Sequence, residues 1–293
     1  MIAAKVSAPG SCGELVQGTL AGRHFLITCP IDLYTAVAVE PGGHMLAAGG
    51  KTIEAVRRTW AYLGVSCPQF AITVSSALPP GKGMASSSAD ISAACQAAAL
   101  AAGRTLSADE IADIALSIEP TDGIFYPGVV MFDHVCGLIR KPLGAPPPMS
   151  ILIFDAGGQV DTLEFNRRRD LAELNAAKEA QVRQAVELVS RGLATGDPLA
   201  IGRGATLSAL ANQAILPKPC LNKVIAIAGR YGAAGINTAH SGTVIGVLFA
   251  GQPVAALAGC REAILQACPE LRFLRQARFI GGGLKLEGGE DCA

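Results

Sequence analysis

The sequence predicts an α+β fold in two domains, and three observations carry that expectation. Strand-like and helix-like runs mix in both halves of the 293-residue chain without an internal repeat. The segment Gly144-Ala-Pro-Pro-Pro148 is the most linker-like stretch, dividing residues 1–145 from 146–293. Between residues 70 and 102, an alternating run passes through a glycine- and serine-rich loop into an alanine-rich helix.

From the start, residues 5–9 read as a short strand running into Ala8-Pro-Gly-Ser-Cys-Gly-Glu-Leu-Val-Gln-Gly18. Residues 25–29 and 34–40 read as two strands around Pro30-Ile-Asp32. Glu14, taken alone, reads as a surface carboxylate in a glycine turn.

The stretch Leu78-Pro-Pro-Gly-Lys-Gly-Met-Ala-Ser-Ser-Ser-Ala-Asp-Ile91 follows the strand at 70–75, and its helix is closed by Gly103. Two prolines bar regular pairing, two glycines permit a tight turn, and three serines stand where the helix begins. A helix start leaves N–H groups unpartnered and carries partial positive charge, so it attracts phosphate. Lys82 adds a point charge, and a serine hydroxyl can meet a phosphate oxygen or magnesium. The loop therefore reads as a nucleotide phosphate loop, against the plainer reading of a strand-to-helix turn with serine caps. No Gly-x-x-x-x-Gly-Lys-Ser/Thr run exists, so this is not a Walker loop. The dinucleotide fingerprint fails at Ser86 and lacks its acidic partner about 20 residues on, which counts against a nicotinamide oxidoreductase.

Ser107-Ala-Asp-Glu110 forms a capping box opening a helix over residues 111–119, which must end before Pro120. Glu119 at that C-terminus opposes the helix dipole, so something positive should compensate; a magnesium–nucleotide complex would. Asp122 follows in Pro-Thr-Asp-Gly, which alone reads as a turn. Residues 129–139 predict a hairpin with Asp133 and His134 near its turn, His134 structural.

In the second half, a strand is expected at 150–155 and a helix from an Asp170 cap to about residue 191. Another helix follows Asp197-Pro198, and a third spans 221–228 with Gly229 as its stop. Strands at 235–238 and 243–249 flank Ala239-His-Ser-Gly242. A helix over 254–267 and a strand over 276–280 complete the reading.

Charge balances at 24 against 24 with no basic block, so nucleic acid is not an expected partner. No apolar run reaches the ~18 residues a membrane span needs. The opening Met-Ile-Ala-Ala-Lys-Val lacks signal-peptide architecture. Nine cysteines without a Cys-x-x-Cys pair read as reduced core residues, and the cytoplasm is the expected location.

Pro79-Pro-Gly-Lys-Gly-Met-Ala-Ser-Ser-Ser88 resembles the second motif of the GHMP kinase superfamily, commonly Pro-x-Gly-x-Gly-Leu-Gly-Ser-Ser-Ala. Ala85 stands for the third glycine, and Ser88 for the final alanine. The opening resembles the first motif, although Ser11 replaces a common lysine and Gly13-Glu14-Leu15 replaces Gly-Glu-His. Ala239-His-Ser-Gly-Thr-Val-Ile-Gly246 resembles a glycine-poor third motif. Glu119-Pro-Thr-Asp122 looks like a shortened metal-and-catalytic segment.

The resemblance implies a ribosomal S5 domain 2-like N-terminal domain and a ferredoxin-like C-terminal one. It implies ATP held by Pro80, Gly81, Lys82, Gly83, Met84, Ala85, Ser86, Ser87 and Ser88. Mg²⁺ would be held by Ser87 and Glu119, with Asp122 catalytic. Acceptor contacts fall to Ser11, Glu14, Ser241 and Gly242. The variant motifs together resemble the superfamily's threonine-phosphorylating branch, which serves cobalamin biosynthesis and takes a small hydroxy amino acid. A homoserine kinase, and a nucleotide-binding relative without phosphoryl transfer, stay open, as does a homodimer.

Overall fold

The computed structural model describes residues 2–42, 49–158 and 168–287. Its first two strands, β1 (Ala4–Leu20) and β2 (Arg23–Pro41), form one long antiparallel hairpin. Both run straight through the breaks that the sequence suggests. β1 absorbs its Pro-Gly-Ser-Cys-Gly segment as register shifts between Pro9 and Val16, as bulges do. At Gly13 φ is +56°, and a Cβ there would lie 2.5 Å from the Ala239 amide nitrogen, so only glycine fits. β2 carries Pro30 within the strand, where its carbonyl accepts from the Ile280 N–H at 3.0 Å.

The helix α1 (Gly50–Tyr62) was not among the expected elements. Its buried side chains include Val56 and Trp60, and Trp60 Nε1 donates to the Ala98 carbonyl at 2.8 Å. β3 (Phe70–Ser76) pairs along β2 and leads through the central loop to α2 (Ser86–Ala101). Ala89, Ala93, Ala94, Ala97 and Ala98 are all fully buried. Small side chains let α2 lie close against α1, β1 and β2. α3 (Ala108–Ile118) opens with the expected capping box between Ser107 and Glu110. Glu119 is its C-cap, already extended, and not its last helical residue.

β4 (Val129–Phe132) and β5 (Arg140–Gly144) form the hairpin, so its second strand starts at 140 and not before 139. Asp133 accepts the Val135, Cys136 and Leu138 N–H groups and shapes the turn. β6 (Met149–Asp155) follows. The expected single helix after Asp170 is two, α4 (Leu171–Ala177) and α5 (Glu179–Thr195), broken at Lys178. Asp170 makes no cap, because its carboxylate accepts from Arg168 instead. Asp197 caps α6 (Pro198–Ala211) as expected. α7 (Leu221–Arg230) runs past Gly229, and the positive φ falls at Gly232.

β7 (Gly235–Thr238), β8 (Val244–Ala250), α8 (Val254–Ala267), β9 (Arg272–Phe279) and β10 (Lys285–Glu287) complete the described chain. The last expected strand therefore begins four residues early, and β10 is additional. The strands share one sheet in the order β10-β1-β7-β8-β6-β9-β2-β4-β5, with β3 on β2 and a further β1–β2 pairing. Strands from before and after 146 share it in blocks, with β7, β8, β6 and β9 standing between β1 and β2. Glu14 pairs with Thr238, the single register pair joining β1 to β7. No helix among the described residues is long and apolar enough to cross a membrane.

Candidate active site

Two segments far apart in sequence clamp the central loop. The Ser11 N–H donates to the Met84 carbonyl at 3.0 Å, and the Gly13 N–H to the Gly83 carbonyl at 3.2 Å. From the other side the Thr243 N–H donates to the Lys82 carbonyl at 2.9 Å. Loop carbonyls are thus engaged outward, while the first N–H groups of α2 keep no intrahelical partner. Ala85 precedes that helix at φ +56° and ψ 26°. This is the left-handed conformation that glycine normally takes, kept here by an alanine.

The loop lines a cavity of about 340 Å³ together with Glu14, Lys51, Glu119, Asp122 and Ser241. Pro80, Gly81 and residues 83–88 all reach its wall. Ser87 donates its hydroxyl to Glu119, whose other oxygen pairs with Lys51. The charge expected to offset an acid at the α3 terminus is therefore supplied by the protein itself. Ser88 accepts from the Asp122 N–H at 3.0 Å, and its hydroxyl stands 3.3 Å from Asp122 Oδ2.

Burial pushes the Asp122 carboxyl up to about 6, with the Ser88 hydrogen bond pulling against it and the Glu119 charge adding to it. Glu14 is raised as well, by burial first and by the Asp122 charge second; the His240 N–H, Lys218 and Lys178 oppose the rise. The buried Glu14 carboxylate accepts the His240 N–H at 2.8 Å.

Other expected residues lie elsewhere. Lys82 does not line the cavity; its ammonium pairs with Asp155 at 2.8 Å and donates to the Gly158 carbonyl at 2.7 Å. Ser11 is buried with its hydroxyl unpartnered and also stays off the wall. Gly242 packs directly on Gly83, where a side chain on either would collide. Of the four expected acceptor residues, Glu14 and Ser241 face the cavity.

Lys51, Lys178, Lys218 and His240 were not anticipated around the site. Ile53, Val56 and Trp60 at helical spacing could have flagged α1, and with it Lys51. Lys218 donates to the Gly242 carbonyl at 2.8 Å, holding the 239–242 turn. Burial draws both Lys178 and Lys218 down to about 8, with Glu14 pulling each back up.

No group of three or more His, Cys, Asp or Glu side chains among the described residues is placed to hold a metal. The Ser87 hydroxyl and Glu119 carboxylate, joined at the cavity wall, nevertheless form a hard-oxygen pair. That suits magnesium, which takes one or two protein oxygens and fills its other positions with water and phosphate.

A glycine loop opening a helix, beside two carboxylates each bonded to a serine of that helix, defines a phosphotransferase type of site. Residues 50–126 match the model of the GHMP kinases N terminal domain. An L-threonine kinase of Salmonella typhimurium is 32% identical over 291 residues, covering 97% of this chain and 96% of that protein. An L-threonine kinase of Citrobacter freundii is 32% identical over 249 residues, 84% of this chain and 86% of that protein. Among solved structures, a homoserine kinase from Cytophaga hutchinsonii superposes with a TM-score of 0.72 at 18% identity, covering 98% of both chains. The chain belongs to the GHMP kinase family of ATP-dependent phosphotransferases.

Proposed function

We propose that this protein phosphorylates the hydroxyl of L-threonine with Mg–ATP, giving O-phospho-L-threonine for cobalamin biosynthesis. The observation carrying the reaction is the paired arrangement of Ser87 with Glu119 and Ser88 with Asp122 along one wall. The 32% identity to two L-threonine kinases supports the acceptor. In this reading the α2 N-terminus and the loop 81–88 hold the triphosphate. Ser87 and Glu119 would hold Mg²⁺, which neutralises charge between the β- and γ-phosphates when bound. Asp122 takes the proton of the acceptor hydroxyl as its oxygen bonds to the γ-phosphorus and the bond to the ADP oxygen breaks. We assign residues 1–145 to an S5 domain 2-like lobe and 146–293 to a ferredoxin-like one. The thiols found free among the described residues suit a reducing cytoplasm.

Glu14 and Ser241 are the acceptor-side residues that the cavity wall supports. Lys82 has another role: through Asp155 it ties the loop to β6. An assay of ADP release with Mg–ATP and threonine, serine and homoserine tests the assignment. Threonine should give the highest kcat/KM, and serine should fall behind by the ~1–3 kcal/mol that one methyl is worth. Homoserine outrunning threonine would overturn the acceptor and leave the kinase.

A further inference from the structure

Beside the phosphate-side cavity lies a second, of about 290 Å³. Gln17, Pro120 and His134 belong to both, so the two meet at the segment carrying Asp122. The walls differ in kind. No aspartate or glutamate lies among the described lining residues of the second cavity. Arg168, Arg169 and Lys178 line it, with His24, His134 and His240. Arg168 is already engaged with Asp170 at 2.7 Å, whereas Arg169 is exposed at the rim.

Lys178 is the unusual member. It sits at the break between α4 and α5, where the interrupted helix turns it inward, and it is only 6% exposed. Its ammonium makes one hydrogen bond, to Asn212 Oδ1 at 3.0 Å, and no ion pair among the described residues. An ammonium has three donors, so its capacity is largely unspent. Two neighbours are in the same condition: the Nδ1 atoms of His134 and His240 are buried without a partner. Buried polar groups left open around a cavity point to a polar ligand. With no acid among the described lining residues, and Glu14 acting on Lys178 only from the neighbouring cavity, the lining favours an anion. It is not the nucleotide phosphate, because no residue of the loop 80–88 reaches this second wall.

We propose that this second cavity holds the carboxylate of the acceptor amino acid, with Lys178 as the residue that selects for it. The inference rests on the reading of the chain as a kinase of a small hydroxy amino acid. It places the acceptor's carboxylate in the second cavity and its hydroxyl at the junction, toward Asp122. The buried imidazoles and Asn212 orient the carboxylate, and Arg169 guards the mouth.

The test compares threonine with 1-amino-2-propanol, the same molecule without its carboxylate, as acceptors for the full-length enzyme and Mg–ATP. Wild type should prefer threonine by about 100-fold or more in kcat/KM. Lys178→Met should raise KM for threonine about 100-fold and leave KM for ATP within about threefold. The rate with 1-amino-2-propanol should hold, so the preference collapses. Lys178→Gln, which can keep the Asn212 bond, should lose the preference too and guards against a variant that fails to fold. A retained preference in either folded variant overturns the inference, as does a parallel rise in KM for ATP. Equal use of both acceptors by wild type overturns it without any variant. Wild type that phosphorylates no carboxylate-bearing acceptor sinks the parent reading and this inference together.

Discussion

The two adjoining cavities share three residues yet are opposite in chemistry. The first is walled by Glu14, Glu119 and Asp122 beside a helix start, with Lys51 as counter-charge. The second has no acid among its described lining residues, and a buried lysine instead. A site for polyphosphate with three acids in its wall is intelligible when Glu119 meets a metal, Asp122 a proton and Glu14 the acceptor, none of them the phosphates themselves. A site for an amino acid's anionic end needs cations and no metal. In the proposed reading the sign of the wall tells phosphoryl donor from acceptor carboxylate, and Asp122 stands on the segment where the two walls meet.

Removing the charge at that junction should have the largest effect. Asp122→Asn should lower turnover by ~10²–10⁴-fold in steady-state assays with KM for ATP almost unchanged. Turnover within about tenfold of normal would make Asp122 a positioning residue, with solvent or the phosphate taking the proton. The same group should set an acid limb. Its carboxyl is raised to about 6, and a protonated carboxyl cannot accept a proton. So kcat/KM for wild type should fall as pH drops through that region, and the limb should vanish in Asp122→Asn.

Ser87 acts on the acid-lined side alone. Ser87→Ala removes the hydroxyl bonded to Glu119 and should cut turnover about 10–100-fold while raising the magnesium concentration needed for half-maximal rate. An unchanged magnesium dependence would shift the metal's oxygen ligands away from this pair.

The smallest effect belongs to the loop's backbone. Ala85 holds a left-handed conformation that costs roughly 1–2 kcal/mol for a residue with a Cβ, against glycine's extra entropy loss of roughly 0.5–1 kcal/mol on folding. Ala85→Gly should therefore stabilise the protein by up to about 1 kcal/mol in urea unfolding, with turnover kept. A loss of stability would mean that the Ala85 methyl, itself buried, contributes more by packing than its backbone costs.

Much of the acid-lined side was legible in the sequence, and little of the other. The loop, Ser87, Glu119 and Asp122 lie within 45 residues of one another, and local signals mark each: glycines, serines at a helix start, a capping box, a proline stop. Asp197-Pro198 and the helix at 254–267 were readable for the same reason. The fate of Lys82 was not, because Asp155, its partner, lies 73 positions away. β1 and β2 were read as broken because Pro9, Gly10 and Pro30 interrupt the two-residue alternation, and the bulges that absorb them arise from pairing between strands. Lys178 and Asn212 carry no motif, and His240 lies in the glycine-poor third motif without a signal of its own. They meet only because α5, α6 and the 239–242 turn pack around β1.

The division of labour between the two walls is tested most directly by measuring both Michaelis constants in two variants. With Ser87→Ala, the demand for Mg–ATP should rise while KM for threonine stays within about threefold of wild type. With Lys178→Met, KM for threonine should rise about 100-fold while KM for ATP stays within about threefold. A crossed pattern of this kind is the result the account predicts. If each variant raises both constants alike, the cavities act as one undivided site and the account is contradicted.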